Sequence, residues 1–200
     1  IFLKTSMKGL AVDRATGRVQ GIKYQTDSND EGVFQASNTI ITCGGFGYDR
    51  SDKSSLMQQH RPDLSHYPTT TGSWTTGDGV KVVLSADVGA YTIDMEHVQL
   101  HPTGFVDPKD PGADTKVLCA ELLRGAGGIL LDGNGNRFCN ELGTRAYVVD
   151  QMLKSSSPVH VSSVKPIPSF YIVLGQKVGA SISRHVAHYG HKGLLTKYAN

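Results

Sequence analysis

Cysteine is scarce. Cys43, Cys119 and Cys139 are the only three in 200 residues, and no Cys-x-x-Cys pair is among them. That spacing excludes a zinc ribbon, argues against a disulfide framework and points to a reducing compartment. Surplus charge is also missing: 20 Lys+Arg nearly balance 18 Asp+Glu without a long run of one sign, so a polybasic nucleic-acid binder is excluded. Long hydrophobic runs are absent too. The longest, Ile129-Leu130-Leu131 and Phe170-Tyr171-Ile172-Val173-Leu174, fall far short of the ~18–20 apolar residues of a transmembrane helix. Neither the Gly-x-Gly-x-x-Gly fingerprint nor a P-loop occurs, so no nucleotide is held here by those loops.

With 38% apolar and 19% charged residues the chain can bury a core, and its length fits one large or two small domains at ~100–200 residues each. It opens on Ile1-Phe2-Leu3 and reads as the middle of something longer. Glycine clusters at Gly44-Gly45, Gly77-Gly79, Gly125-Gly128 and Gly133-Gly135, as at tight turns or close approaches of backbone to a ligand.

The pattern predicts strands over 1–5, 19–25, 33–36 and 39–42, a meander with turns at Thr16-Gly17 and Ser28-Asn29-Asp30 that ends in a buried strand. A helix follows from Thr76 as N-cap, through Val80, Val83, Leu84 and Val88, to Gly89. Residues 92–137 read as irregular. A second helix spans 144 or 145 to 153, a loop is marked by Ser155-Ser156-Ser157-Pro158 and Pro166-Ile167-Pro168, and a strand over 169–174 precedes a helix over 176–188.

Several groupings carry chemistry beside a plainer reading. Thr39-Ile40-Ile41-Thr42-Cys43-Gly44-Gly45 runs a β-branched segment into a glycine pair whose N–H groups can face a ligand, or it is an ordinary strand-to-loop turn. Thr76-Gly77-Asp78 opens a helix whose free N–H donors suit an electron-rich ligand, or it is only a capped helix. His97 and His101 are four apart, but Pro102 removes the shared helical face a metal pair needs. His101 can instead present its imidazole to an anion or be merely structural. Glu121 and Arg124, three apart in an apolar, glycine-rich context, can form a proton-passing pair, although most such pairs are surface contacts worth ~0–1 kcal/mol. His185, His188 and His191 drift around a helix without a supporting thiol or carboxylate and read as structural, so no metal is expected.

These motifs, with Tyr67-Pro68-Thr69-Thr70, Gln99-Leu100-His101-Pro102-Thr103-Gly104, Arg137-Phe138-Cys139-Asn140-Glu141 and Thr144-Arg145, occur in an order that resembles one family across nearly the whole chain. It is that of the flavoprotein subunits of fumarate reductase and succinate dehydrogenase, most closely the soluble fumarate reductases of unicellular eukaryotes. The resemblance implies an α+β chain: residues 1–95 as the second part of a Rossmann-like FAD-binding domain, then residues 96–200 as a mixed α/β capping domain, itself incomplete. It implies FAD near Met7, Gly44, Gly45, Thr76, Gly77 and Asp78, and a small dicarboxylate, fumarate or succinate, as substrate. His101 matches a histidine that holds a substrate carboxylate, Arg145 the arginine that protonates the substrate carbon, and Glu121 and Arg124 the relay that resupplies it. Some relatives carry threonine where this chain has Ala120, which removes one substrate contact.

The expected chemistry is hydride transfer from flavin N5 with a proton from the opposite face. The 200 residues by themselves are expected to be an inactive piece of that enzyme, in an intracellular setting such as cytoplasm or mitochondrion. The electron donor and the direction of reaction are left open. Two alternatives stand beside it: a related flavin enzyme acting on another unsaturated acid, and a non-catalytic binding module.

Overall fold

The structure is a computed structural model and describes residues 1–155, 157, 159–160 and 168–198. The chain forms two compact units, one of Ile1–Ser65 with Gly72–His97, the other of His66–Thr71 with Val98–Asn200.

The first unit opens with an antiparallel meander of β1 (Thr5–Val12), β2 (Val19–Thr26) and β3 (Glu31–Gln35), in that order across the sheet. Its turns use the expected chemistry. Asp13 accepts from the Ala15 N–H at 3.0 Å and the Thr16 hydroxyl at 2.8 Å before Gly17, and Asn29 takes the left-handed conformation between β2 and β3. Tyr24 stacks on Phe34 with ring centroids 4.1 Å apart, a cross-strand aromatic contact that helps fix the register. Helix α1 (Leu56–His60), a 3-10 turn (Pro62–Leu64) and α2 (Asp78–Ser85) complete the unit, with Leu10, Leu56, Met57 and Leu64 buried.

The second unit pairs β4 (Gly104–Phe105) with β5 (Val117–Leu118), then places the single turn α3 (Leu122–Gly125) ahead of β6 (Ile129–Leu131). Helix α4 (Arg145–Lys154) leads to β7 (Val159–His160), which pairs with β8 (Pro168–Ser169). Strand β9 (Tyr171–Val173) returns antiparallel to β6, and α5 (Gln176–Ser181) and α6 (Ser183–His191) follow. The core joins Phe105, Cys119, Leu123, Ile182 and Tyr189, with Ile172, Leu174 and Val186 packed against it. Gly128 permits that packing, because a Cβ there would lie 2.6 Å from the Leu123 carbonyl oxygen and 2.8 Å from a Leu174 methyl.

Six local expectations are corrected. Pairing starts at Thr5 and continues to Val12 rather than ending there, with Lys4 in the left-handed conformation before it. Residues 39–42 form no strand. Nothing among the described residues pairs with them, and Ile40 is 84% exposed, since a β-branched run becomes a strand only beside a partner edge. Gly77 at φ +73° is the N-cap of α2, while the Thr76 hydroxyl donates to the Asp78 carboxylate at 2.9 Å, and α2 ends at Ser85, before Asp87 and Gly89 turn left-handed. Residues 92–137, expected to be irregular, include β4, β5, α3 and β6. The expected strand over 169–174 is divided at Phe170, and the helix after it is divided at Ile182, which leaves helical geometry as it packs into the core, then runs past Gly190 to His191. The helix expected from 144 or 145 is α4, and its N-cap is Thr144, whose hydroxyl accepts from the Tyr147 N–H at 3.2 Å. Of the expected loop, Ser156, Pro158, Pro166 and Ile167 lie outside the described residues.

Leu123 has no exposed surface and stands next to Arg124, so Leu123→Ala is expected to destabilise the second unit by about 2–5 kcal/mol. Urea denaturation of the purified protein measures this, and an unchanged midpoint would show that the site can collapse around the missing atoms.

Candidate active site

In the second unit, the Thr103 hydroxyl donates to the Cys119 carbonyl at 3.0 Å and the Cys119 N–H donates to the Thr103 carbonyl at 3.1 Å. This reciprocal pair fixes the segment carrying His101 against the one carrying Glu121. His101 Nδ1 lies 3.0 Å from the Thr103 carbonyl oxygen and 3.3 Å from the Thr103 N–H. The carbonyl can only accept and the N–H can only donate, so the tautomer decides which of the two Nδ1 serves: protonated it donates to the carbonyl, unprotonated it accepts from the N–H. Burial lowers the His101 pKa; the bond to Thr103 opposes this, the charges of Arg145 and Arg124 add to it, and Glu121 pulls the other way.

Glu121 is the N-cap of α3, and Arg124 lies three residues on along the same turn. Arg124 Nη2 donates to Glu121 Oε1 at 2.6 Å. The other carboxylate oxygen, Oε2, accepts from Arg145 Nε at 2.9 Å and pairs with Arg145 Nη2 at 2.8 Å. Arg145 Nη1 donates in turn to the Gln99 side-chain oxygen at 3.0 Å. One carboxylate thus joins two guanidinium groups. Arg124 is 2% exposed, whereas Glu121 and Arg145 are exposed, so the chain of hydrogen bonds runs from the interior to the surface. The hydrogen bond from Arg145 lowers the Glu121 pKa; partial burial opposes it and the Arg124 charge reinforces it.

The buried guanidinium also donates through Nη1 to the carbonyls of Glu141 and Gly143, the latter at 3.0 Å. Tyr189, from α6, holds the peptide just before Glu121: its hydroxyl accepts from the Ala120 N–H at 3.2 Å and donates to the Leu118 carbonyl at 3.2 Å. Sequence reasoning brought His101, Glu121, Arg124 and Arg145 forward as candidates, and they share one electrostatic cluster. It missed the Gln99 amide, the two carbonyls and Tyr189. Gln99 and Glu141 lie inside quoted motifs, while no local pattern signals that Tyr189 reaches back 69 residues to Ala120.

In the first unit, the Gly77 N–H donates to the Gly45 carbonyl at 3.1 Å, so the glycine pair and the start of α2 are brought together. Gly77 is buried, and a Cβ there would lie 2.4 Å from a Leu56 methyl. Gly44, at φ +84°, and Gly45 have open space where a side chain would be, leaving their backbone uncovered beside the uncapped N–H groups of α2. Thr76 and Asp78 flank this point. Met7 lies on β1, against which α2 packs.

A cavity of about 480 Å³ in the second unit is bordered by His101 and Thr103 but otherwise lined mainly by groups such as Leu100, Phe105, Leu130 and Met152; Glu121, Arg124 and Arg145 do not line it. Its apolar walls would leave a dianion poorly solvated. Asp94, Glu96 and His97 bring their ligand atoms within 4.8 Å of one another, but all three are exposed side chains, which are common without a metal.

Comparison with known proteins adds to this geometry. Residues 1–191 match the family model described as FAD binding domain. The chain is 41% identical to a "Fumarate reductase" of Schizosaccharomyces pombe over 90% of its length and 32% of that protein's. It is 33% identical to "Fumarate reductase 1" of Saccharomyces cerevisiae over 95% of its length and 38% of that protein's. The chain therefore spans about a third of the curated relatives it matches. Its fold is similar to a solved structure titled "Quinol-Fumarate Reductase with Menaquinol Molecules", with TM-score 0.64 and 24% identity over 92% of this chain and 31% of that one.

Tyr189→Phe keeps the ring against Phe105 but leaves the Ala120 N–H and the Leu118 carbonyl without the hydroxyl. A loss of about 1–3 kcal/mol is expected in chemical denaturation. Wild-type stability would mean that this hydroxyl is not what holds the segment before Glu121.

Proposed function

The chain belongs to the FAD binding domain family, and we propose that it is part of an FAD-dependent fumarate reductase whose proton donor is Arg145. The observation that carries this reading is the continuous Arg124–Glu121–Arg145 linkage, with its inner guanidinium buried and its outer one exposed. Two surface arginines sharing a carboxylate would need no explanation. Burying one of them costs several kcal/mol that its acceptors must offset, and perturbed ionisable groups held at such a cost are concentrated at functional sites.

The first unit is assigned as part of the FAD-binding domain and the second as a capping domain. FAD fits the residues present: Gly44 and Gly45 offer open backbone, and the first turn of α2 offers N–H donors without a side-chain cap. The Asp78 carboxylate in that turn disfavours a phosphate and leaves the donors for carbonyl oxygens of an uncharged ring. Thr76 and Gly77 border the same point and Met7 lies on the neighbouring strand. Bound FAD, once reduced by two electrons from its donor, would supply the hydride that reduces the double bond.

In this reading the chain's own residues hold a dicarboxylate and deliver the balancing proton. Imidazolium at His101 and the guanidinium of Arg145 favour a small dianion over an apolar substrate. Arg145 gives its proton to the carbon opposite the one that receives hydride, and Glu121 restores it from the side of Arg124. Free arginine, with a pKa above about 12, is a poor acid, so the step relies on a carbanion-like partner and immediate resupply. The succinate product contains one hydride and one proton more than fumarate; the hydride's two electrons come from the donor that reduces the flavin, and the proton comes through Arg145.

Arg145→Gln in the full-length protein is expected to lower fumarate reduction by about 10³-fold or more while the flavin absorbance remains. Retained turnover would remove Arg145 from the donor role.

In the same reading Nδ1 holds the neutral ring's proton against the Thr103 carbonyl, so Nε2 lacks one and a carboxylate seated there must bring it. The unliganded His101 pKa is lowered, so above it affinity for a dicarboxylate is expected to fall about tenfold per pH unit until the raised pKa of the complex is passed. Proton uptake on succinate binding, read by calorimetry in buffers of different ionisation enthalpy, checks this; binding without uptake would reverse the tautomer.

A further inference from the structure

The Arg137-Phe138-Cys139-Asn140-Glu141 segment has no part in the chemistry above, yet Glu141 is 3% exposed and charged groups are rarely buried without a specific partner. Its carboxylate has three donors. Oε1 accepts from the Leu130 N–H, in the middle of β6, at 2.9 Å. Arg137 Nε reaches both oxygens at 3.0 and 3.1 Å, and Arg137 Nη2 reaches Oε2 at 2.6 Å. Burial acts to raise the Glu141 pKa, but these donors outweigh it and the net shift is downward, so the group is ionised at neutral pH.

The main chain of the same residue faces the other way. Its carbonyl accepts from Arg124 Nη1, as does that of Gly143 two residues on. Arg124 Nε finds no acceptor among the described residues, so the guanidinium's orientation rests on these two carbonyls and on Glu121. The segment then passes through Thr144, the N-cap, into Arg145 at the first position of α4. Both arginines that grip Glu121 therefore depend on one short stretch of backbone, and the Glu141 carboxylate ties that stretch to the β6–β9 sheet.

We propose that Glu141 is a positioning residue for the proton relay: by fastening the 137–145 backbone to β6 it aims Arg124, and through α4 Arg145, at the Glu121 carboxylate. This deepens the reductase reading and rests on it for its consequence in turnover, but the geometric claim has a readout independent of turnover. Glu141 reaches neither substrate nor the reacting atoms itself.

The test uses the full-length, FAD-loaded protein with Glu141→Ala, Glu141→Gln and Arg137→Ala. Site-resolved 13C NMR follows the Glu121 carboxylate through its titration, and fumarate turnover is measured beside it. Glu141→Ala is expected to raise the Glu121 midpoint, because both arginines loosen, and to lower kcat about 10- to 100-fold with KM changed less than about threefold. Glu141→Gln keeps an oxygen for the Leu130 N–H and is expected to recover part of both effects. Arg137 is 57% exposed, so its loss should not prevent folding; Arg137→Ala is expected to move the Glu121 midpoint in the same direction by less, and it carries the test if Glu141→Ala does not fold. A merely structural Glu141 would lower the melting temperature and leave the Glu121 midpoint where it was, which overturns the proposal. If the midpoint moves but the wild-type protein does not reduce fumarate, the positioning stands and the reductase reading fails. If the wild type reduces fumarate and the midpoint does not move, the positioning fails alone.

Discussion

The second unit depends on how Arg124 is accommodated. A guanidinium that is 2% exposed has lost most of its hydration, a penalty of several kcal/mol that only close, well-directed acceptors offset. Glu121 supplies the counter-charge, and the carbonyls of Glu141 and Gly143 supply neutral acceptors. None of these can shift far without leaving the charge uncompensated. The neighbouring packing is accordingly tight: Leu123 has no exposed surface, and Gly128 leaves no room for a Cβ beside the Leu123 carbonyl.

From that buried charge the arrangement extends outward. Glu121 is exposed and bound on both oxygens, so its carboxylate is held ionised and aligned between two donors rather than averaged over rotamers. His101 is affected by the same charges and is held neutral mainly by burial. Two guanidinium groups therefore share one carboxylate, with a half-buried imidazole in the same field of charge. The first unit makes a different provision, with uncovered backbone where the glycine pair meets the start of α2.

The elements with local causes were legible. Turn chemistry at Thr16-Gly17 and Ser28-Asn29-Asp30 signalled the meander, and the start of α4 was legible at 144 or 145, where the Thr144 cap is a contact within four residues. The misreadings have tertiary causes. The β-branched segment at 39–42 has strand propensity but no partner edge among the described residues, and Ile182 interrupts a helical pattern because it is drawn into the core.

The candidate site divides along the same line. Sequence alone determined which groups are candidates: the Glu121 and Arg124 spacing places them on one turn, Pro102 bars a helical histidine pair, and motif order singles out His101 and Arg145. Only tertiary structure decided which of them meet and in what state. Arg145 is 24 residues from Glu121, Gln99 is 46 from Arg145, and Tyr189 is 69 from Ala120. Contacts at such separations are fixed by the packing of whole elements, which no window of sequence contains. Burial is fixed the same way, and it is burial that turns an ordinary i, i+3 ion pair into a directed chain of hydrogen bonds.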